Sequence, residues 1–296
     1  MAVVSFYVAG LLTALLWGGS PILSKRGLSH GGNPLVLAIV ALGTGLAMFW
    51  AGLAVLHGPA HVLPRLSLRG YAIFLTAGLV GSALGRAASY TGIDLVGASV
   101  NMAVVATYPI FATVLAYLLL GELVTATQVA GVVVVVAGLV LLTLSKGGDR
   151  TGWTTRDLLV PLLGAAVYGT GSVLRRYGLT TTPATALDGV AIESAAAVAA
   201  LLAYALLANR RALLENSRRS YAYFLGTGVL SSLGLLSLFV GLASGPVAIV
   251  VTLAGTSTLL TTAFSWALLG DLERVTRGVV VAAVLVVSGV ALIALS

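Results

Sequence analysis

The stretch from Gly97 to Glu122, GASVNMAVVATYPIFATVLAYLLLGE, reads as one helix long and apolar enough to cross a bilayer, with Asn101, Tyr108 and Pro109 inside it. The chain contains it twice. A constant shift of 149 carries Leu119, Leu120, Gly121 and Leu123 onto Leu268, Leu269, Gly270 and Leu272, Glu122 onto Asp271 and Tyr117 onto Trp266. The second copy, Gly245 to Asp271, reads GPVAIVVTLAGTSTLLTTAFSWALLGD. A spanning helix that recurs once per half with a break in its middle points to a membrane protein built from internal repeats.

The doubling extends to the rest of each half. A shift of 151 places Trp17-Gly18 on Tyr168-Gly169, Leu23 on Leu174, Lys25 on Arg176 and Gly27-Leu28 on Gly178-Leu179. A shift of 150 places Arg69, Tyr71, Phe74, Leu75 and Gly78 on Arg219, Tyr221, Phe224, Leu225 and Gly228. Only 8% of the residues are charged and 59% are hydrophobic, against about 25% charged in a soluble domain. Ten spans of ~20 residues would use roughly two thirds of the chain and leave only short loops.

Those spans fall at about Val3–Leu23, Pro34–Leu56, Gly70–Tyr90, Gly97–Glu122 and Val129–Leu144 in the first half. In the second they fall at about Leu158–Leu174, Thr185–Leu207, Tyr221–Ala243, Gly245–Asp271 and Arg277–Leu295. The valine-rich fifth run would suggest a strand in water; in lipid the backbone must satisfy itself, so a helix is expected. The fold class is therefore all-α and integral to the membrane. Residues 1–145 form one five-helix repeat, 146–157 a polar linker and 158–296 the second repeat. Five is odd, so the repeats are expected to lie inverted across the bilayer.

Zero cysteines exclude disulfides, thiolate metal sites and cysteine nucleophiles. The net charge of +7 sits in basic pairs between apolar runs, which suits anionic lipid headgroups and not nucleic acid. No basic segment precedes the first apolar run, and that run has a counterpart in the second half, so it is read as a retained span. Loops after odd-numbered spans hold eleven Lys and Arg, and loops after even-numbered spans hold four: Arg65, Arg69, Arg175 and Arg176. By the positive-inside rule both termini lie outside.

Two five-helix halves, WGGS near the end of the first span, and LLLGE and LLGD closing the fourth and ninth resemble the EamA-type drug/metabolite transporter superfamily. AASYTGIDLVGASVNMAVVATYP, Ala87 to Pro109, is similar to the family's connection between its third and fourth spans. The resemblance implies a ten-helix permease of the cytoplasmic membrane, often an exporter of amino acids or other small metabolites. It also implies a central cavity lined by the first, third, fourth, sixth, eighth and ninth spans, and cytoplasmic termini, opposite to the charge count. Related branches carry nucleotide sugars or sugar phosphates. The family often has an arginine early in the second span, where this chain reads Leu35-Val36-Leu37-Ala38-Ile39-Val40-Ala41.

Polar residues at membrane depth need a partner or a wet cavity. Asn101 and Tyr108, seven apart, share a helical face, and the repeat sets Ser257 opposite Tyr108 with Thr256 beside it. They read as a wall around substrate or as glue between helices. Pro109 is a hinge candidate; its counterpart is Thr258, which predicts an asymmetric break. Trp17 and Tyr168 occupy equivalent places, read as a cavity floor or as interfacial anchors. Tyr168, Ser172 and Arg176 form an i, i+4, i+8 stripe, and so do Arg86, Tyr90 and Asp94. Arg86 would bind an anionic group or snorkel to the interface. Glu193, deep in the seventh span, is the proton-coupling candidate. Glu122 and Asp271 read as structural helix ends.

The leading expectation is a permease with a small-molecule substrate, no cofactor and no metal. A lipid-modifying enzyme would need clustered acids or histidines, whereas His30, His57 and His61 lie in early loops and the nine carboxylates are scattered. No phosphate-binding glycine loop appears, and no filter motif marks a channel.

Overall fold

The computed structural model describes residues 2–58, 63–120, 125–145, 152–208, 210–213, 216–268 and 276–295. Gly121-Glu122, Gly270-Asp271, His61, Arg274 and the first half of the polar linker, 146–151, lie outside them. The regular structure of the described residues is all helical, with no strand among them.

The first half runs α1 (Ala2–Ser29), α2 (Pro34–His57), α3 (Leu68–Ala77), a π-helical turn (Gly78–Leu84), α4 (Gly85–Val96), α5 (Ala98–Val105), α6 (Tyr108–Leu120) and α7 (Ala126–Ser145). The second runs α8 (Leu159–Thr181), α9 (Ala186–Ala208), α10 (Arg218–Ser244), α11 (Val247–Gly255), α12 (Ser257–Leu268) and α13 (Arg277–Ala294). Among the described residues, eight continuous or once-broken helices are long and apolar enough to cross a membrane: α1, α2, α3 through α4, α5–α6, α8, α9, α10 and α11–α12. α7 and α13 contribute shorter apolar helices, Val129–Leu142 and Arg277–Ile293.

The helices of the two halves interleave. α1 packs chiefly on α10, and its counterpart α8 packs on α3, the π turn and α4. α6 lies on α8, and its counterpart pair α11–α12 lies on α1. α2 meets α9, and α7 meets α13. This is the contact pattern of an approximate two-fold relation between the halves.

The glycine of the WG/YG pair explains one symmetric contact. A Cβ on Gly18 would stand 2.6 Å from Leu260 Cβ and 3.4 Å from the Ser257 carbonyl. On Gly169 it would stand 2.7 Å from Phe111 Cβ and 2.8 Å from the Ala112 amide nitrogen. Phe111 and Leu260 are themselves repeat equivalents, so the same close approach is built twice. Small residues let membrane helices approach in this way, since lipid supplies no hydrophobic force between them.

Three differences from the sequence reading matter. α1 continues past Lys25 and Arg26, burying Lys25. α8 runs on to Thr181, so Arg175 and Arg176 are helical residues and not a loop pair, and Arg175 is only 1% exposed. The polar linker places Trp153 in the core, 7% exposed beside Val96, Val100 and Leu142.

The break in the doubled helix is also symmetric. Between α5 and α6 the Thr107 hydroxyl donates to the Val104 carbonyl at 2.8 Å, and the Ile110 amide to the Thr107 carbonyl at 2.9 Å. Between α11 and α12 the Thr256 hydroxyl donates to the Leu253 carbonyl at 2.6 Å, and the Leu259 amide to the Thr256 carbonyl at 3.0 Å. The three residues at one break, Val104, Thr107 and Ile110, correspond to Leu253, Thr256 and Leu259 under the 149 shift. Pro109 therefore does not make the break alone: it stands in the first turn of α6, where a missing N–H costs little. The shared feature is a threonine whose hydroxyl takes a carbonyl three residues back.

Gly169→Val is expected to lower stability by ~1–3 kcal/mol through overpacking, whereas Gly43→Ala, with nothing within 4 Å of its Cβ, should be tolerated. Thermal unfolding of the purified variants in detergent checks both.

Candidate functional site

A cavity of ≈ 70 Å³ lies between the halves, small beside the ~300–1,000 Å³ of pockets for drug-sized ligands. Trp17, Ser20 and Pro21 reach it from α1, Ser82 from the π turn, and Arg86, Ser89, Tyr90 and Ile93 from α4. Met102, Val105, Ala106 and Tyr108 border it where α5 gives way to α6. From the second half come Tyr168, Ser172 and Arg175 of α8, Ser231 and Leu235 of α10, and Ser257 of α12. These are the six spans that the resemblance implies.

Local backbone chemistry sets these side chains. A π turn inserts an extra residue into a helical turn and re-aims the side chains beyond it. Here it presents Ser82 and then Arg86 to the cavity, while α10, its repeat counterpart, stays regular. Gly81 permits the approach to α8: a Cβ there would lie 2.9 Å from Gly171 Cα and 2.8 Å from Arg175 Nη2.

Of the two stripes, the first two members of each border the cavity and the third does not. Ile93, and not Asp94, continues Arg86 and Tyr90; Arg175, and not Arg176, continues Tyr168 and Ser172. At about 100° per residue, i+7 returns within about 20° of the starting direction while i+8 departs by about 80°. Arg176 instead donates from Nη1 to the Leu242 carbonyl at 2.6 Å. Arg175 and the hydroxyls of Ser20, Ser82, Ser89 and Ser231 were not singled out from the sequence; an i+7 count from Tyr168 would have found Arg175.

Trp17, Arg86, Tyr90, Tyr108, Tyr168, Ser172 and Ser257 all border this cavity. Trp17 donates from Nε1 to the Ser231 carbonyl at 3.2 Å, crossing from one repeat to the other. The Tyr108 hydroxyl donates to the Val251 carbonyl at 2.5 Å, also across the repeats. Asn101 does not reach the cavity. It is fully buried, its Nδ2 donating to Ser89 Oγ at 3.2 Å, because the break at Thr107 resets the helical phase between positions 101 and 108. Thr256 is likewise absent from the wall, its hydroxyl spent on Leu253.

Glu193 is wholly buried and lies behind Arg175. Arg175 grips it with Nε to Oε2 at 2.9 Å and Nη2 to Oε1 at 2.7 Å, the two side chains being 2% and 0% exposed. The Ser82 hydroxyl also donates to Oε1, and the Arg175 guanidinium stands 5.7 Å over the Phe239 ring. Arg86 has a different setting. It is 5% exposed, donates from Nη1 to Ser231 Oγ at 3.0 Å, and faces no carboxylate among the described residues.

Removing one partner of such a buried pair costs ~3–5 kcal/mol, whereas replacing both with apolar side chains is often neutral. Glu193→Leu is therefore expected to destabilise the protein far more than Arg175→Met/Glu193→Leu. Equal losses in thermal unfolding would show that the two charges do not act as a pair.

These features define a polytopic membrane protein whose two repeats enclose a mainly apolar cavity, edged by two arginines and several hydroxyls, at their interface. The EamA-like transporter family model matches residues 4–144 and again 156–295, and the chain belongs to that family. Among curated proteins none matches significantly in sequence. One solved structure, titled only "Crystal structure of protein", superposes with a TM-score of 0.69 over 97% of this chain and 96% of that one, at 16% identity. A likeness at that identity concerns the fold alone.

Proposed function

We propose that this permease exports a small organic metabolite, an amino acid or a related compound, across the cytoplasmic membrane by alternating access. Its ten spans form two inverted five-helix repeats, with α7 and α13 completing the halves. The observation that carries this reading is the cavity itself, walled by three spans of each repeat. Rocking one repeat against the other would open it to one side and then the other.

Two further features support the reading. The doubled helix is broken at equivalent threonines beside the cavity, which supplies a pair of bending points at equivalent positions of the two repeats. The small volume suits a compact solute more than a nucleotide sugar. Coupling to protons through Glu193 requires the Arg175–Glu193 pair to separate during the cycle, since Glu193 does not itself border the cavity.

A comparison of metabolites inside and outside cells with and without the protein tests export: one solute should leave only when the protein is present. The absence of cysteine makes a clean second test. Ser257→Cys, at the cavity wall, is expected to react with a membrane-impermeant thiol reagent added to either face, with transport lost on labelling. Labelling from one face only, whatever solute is present, counts against alternating access.

A further inference from the structure

Among the described residues the charges that border the cavity do not balance. Two guanidinium groups border it, Arg86 from the first repeat and Arg175 from the second. Arg175 is neutralised by Glu193. Arg86 is not neutralised: among the described residues its one hydrogen bond goes from Nη1 to a serine hydroxyl. Neither Lys25, whose Nζ donates to the Ile93 carbonyl at 3.4 Å, nor Asp94 borders the cavity. Arg176 is turned to the Leu242 carbonyl. A buried charge without a counter-charge is costly in a low-dielectric setting.

Resting on the reading of this cavity as the substrate site, we propose that the transported solute is one of the related compounds and not a zwitterionic amino acid: a small organic monoanion, a carboxylate, that supplies the counter-charge to Arg86. The Nε and Nη2 edge of Arg86 carries no hydrogen bond within the described protein. That planar edge matches a carboxylate through two parallel charge-assisted bonds, a geometry lysine cannot reproduce. Trp17, Tyr90, Tyr108 and Tyr168 around it form an aromatic wall for the solute's apolar body. Glu193 acts as a positioning residue: it cancels the charge of Arg175 and thereby sets the cavity for one negative charge instead of two.

Charge balance makes the test specific. Purified protein in detergent is unfolded thermally with lactate, benzoate, succinate, glycerol phosphate or ethylamine, since a ligand bound only by the folded state raises the midpoint. Lactate or benzoate should stabilise the wild type, and succinate, glycerol phosphate and ethylamine should not. Arg86→Gln should weaken that binding about ten- to a hundred-fold, the range for losing hydrogen bonds to a charged group, and Arg86→Lys should restore part of it. Glu193→Gln leaves the second guanidinium uncancelled and should shift preference to succinate or glycerol phosphate. Where that variant does not fold, Arg175→Gln/Glu193→Gln keeps the same net charge as the wild type and should still prefer one negative charge.

Stabilisation by ethylamine, a dianion preference in the wild type, or monocarboxylate binding unchanged in Arg86→Gln would each overturn the proposal. The transport reading fails separately. Monocarboxylate binding that needs Arg86, with no efflux from loaded proteoliposomes, would leave the anion site standing and remove the permease. Efflux of a cation that survives Arg86→Gln would do the reverse.

Discussion

Within a bilayer the backbone has no water to bond to, so each amide and carbonyl must find its partner in protein. This constraint makes every span a helix and makes any departure from regular helix informative. The departures here are the π turn at Gly78–Leu84 and the two breaks at Thr107 and Thr256. All three lie beside the cavity, and at both breaks a threonine hydroxyl takes a carbonyl of the preceding turn. Among the described spans, irregular backbone lies where protein can satisfy it.

The same economy governs charge. Glu193 and Arg175 sit at full burial because each supplies the other's counter-charge with two hydrogen bonds. Ser82 completes the cluster from the other repeat. Trp17 on Ser231, Tyr108 on Val251 and Arg86 on Ser231 also join one repeat to the other. These three contacts near the cavity, with Ser82 on Glu193, cross the very interface along which the halves would move in the proposed cycle. A change in cavity occupancy would be felt by both repeats at once.

Much of the architecture was legible in the chain. Apolar run length reveals helices because bilayer thickness sets their length, and α2, α9 and α10 fall within a few residues of the expected limits. The repeat was legible because equivalent contacts demand equivalent small residues, as at Gly18 and Gly169. Charged residues were a poorer guide to helix ends. Lys25, Arg175 and Arg176 looked like boundaries, yet α1 and α8 run past them, since a long basic side chain can bond a carbonyl or a carboxylate inside a bundle.

The sequence by itself determined that this is a doubled, all-helical membrane protein, because apolar length and self-similarity are properties of a chain read along its own axis. It also offered Trp17, Arg86, Tyr90, Asn101, Tyr108, Tyr168, Ser172, Thr256 and Ser257 as cavity candidates, and the structure sets all but Asn101 and Thr256 around one cavity. Which arginine meets which acid was decided only by the tertiary structure. Arg175 and Glu193 lie on separate helices, and their meeting depends on the helical phase of each and on the approach permitted at Gly81 and Gly171. Asn101 left the cavity for the same kind of reason: one tightened turn at Thr107 rotated it onto Ser89. Phase and approach arise from packing in three dimensions, and no spacing along the chain carries them.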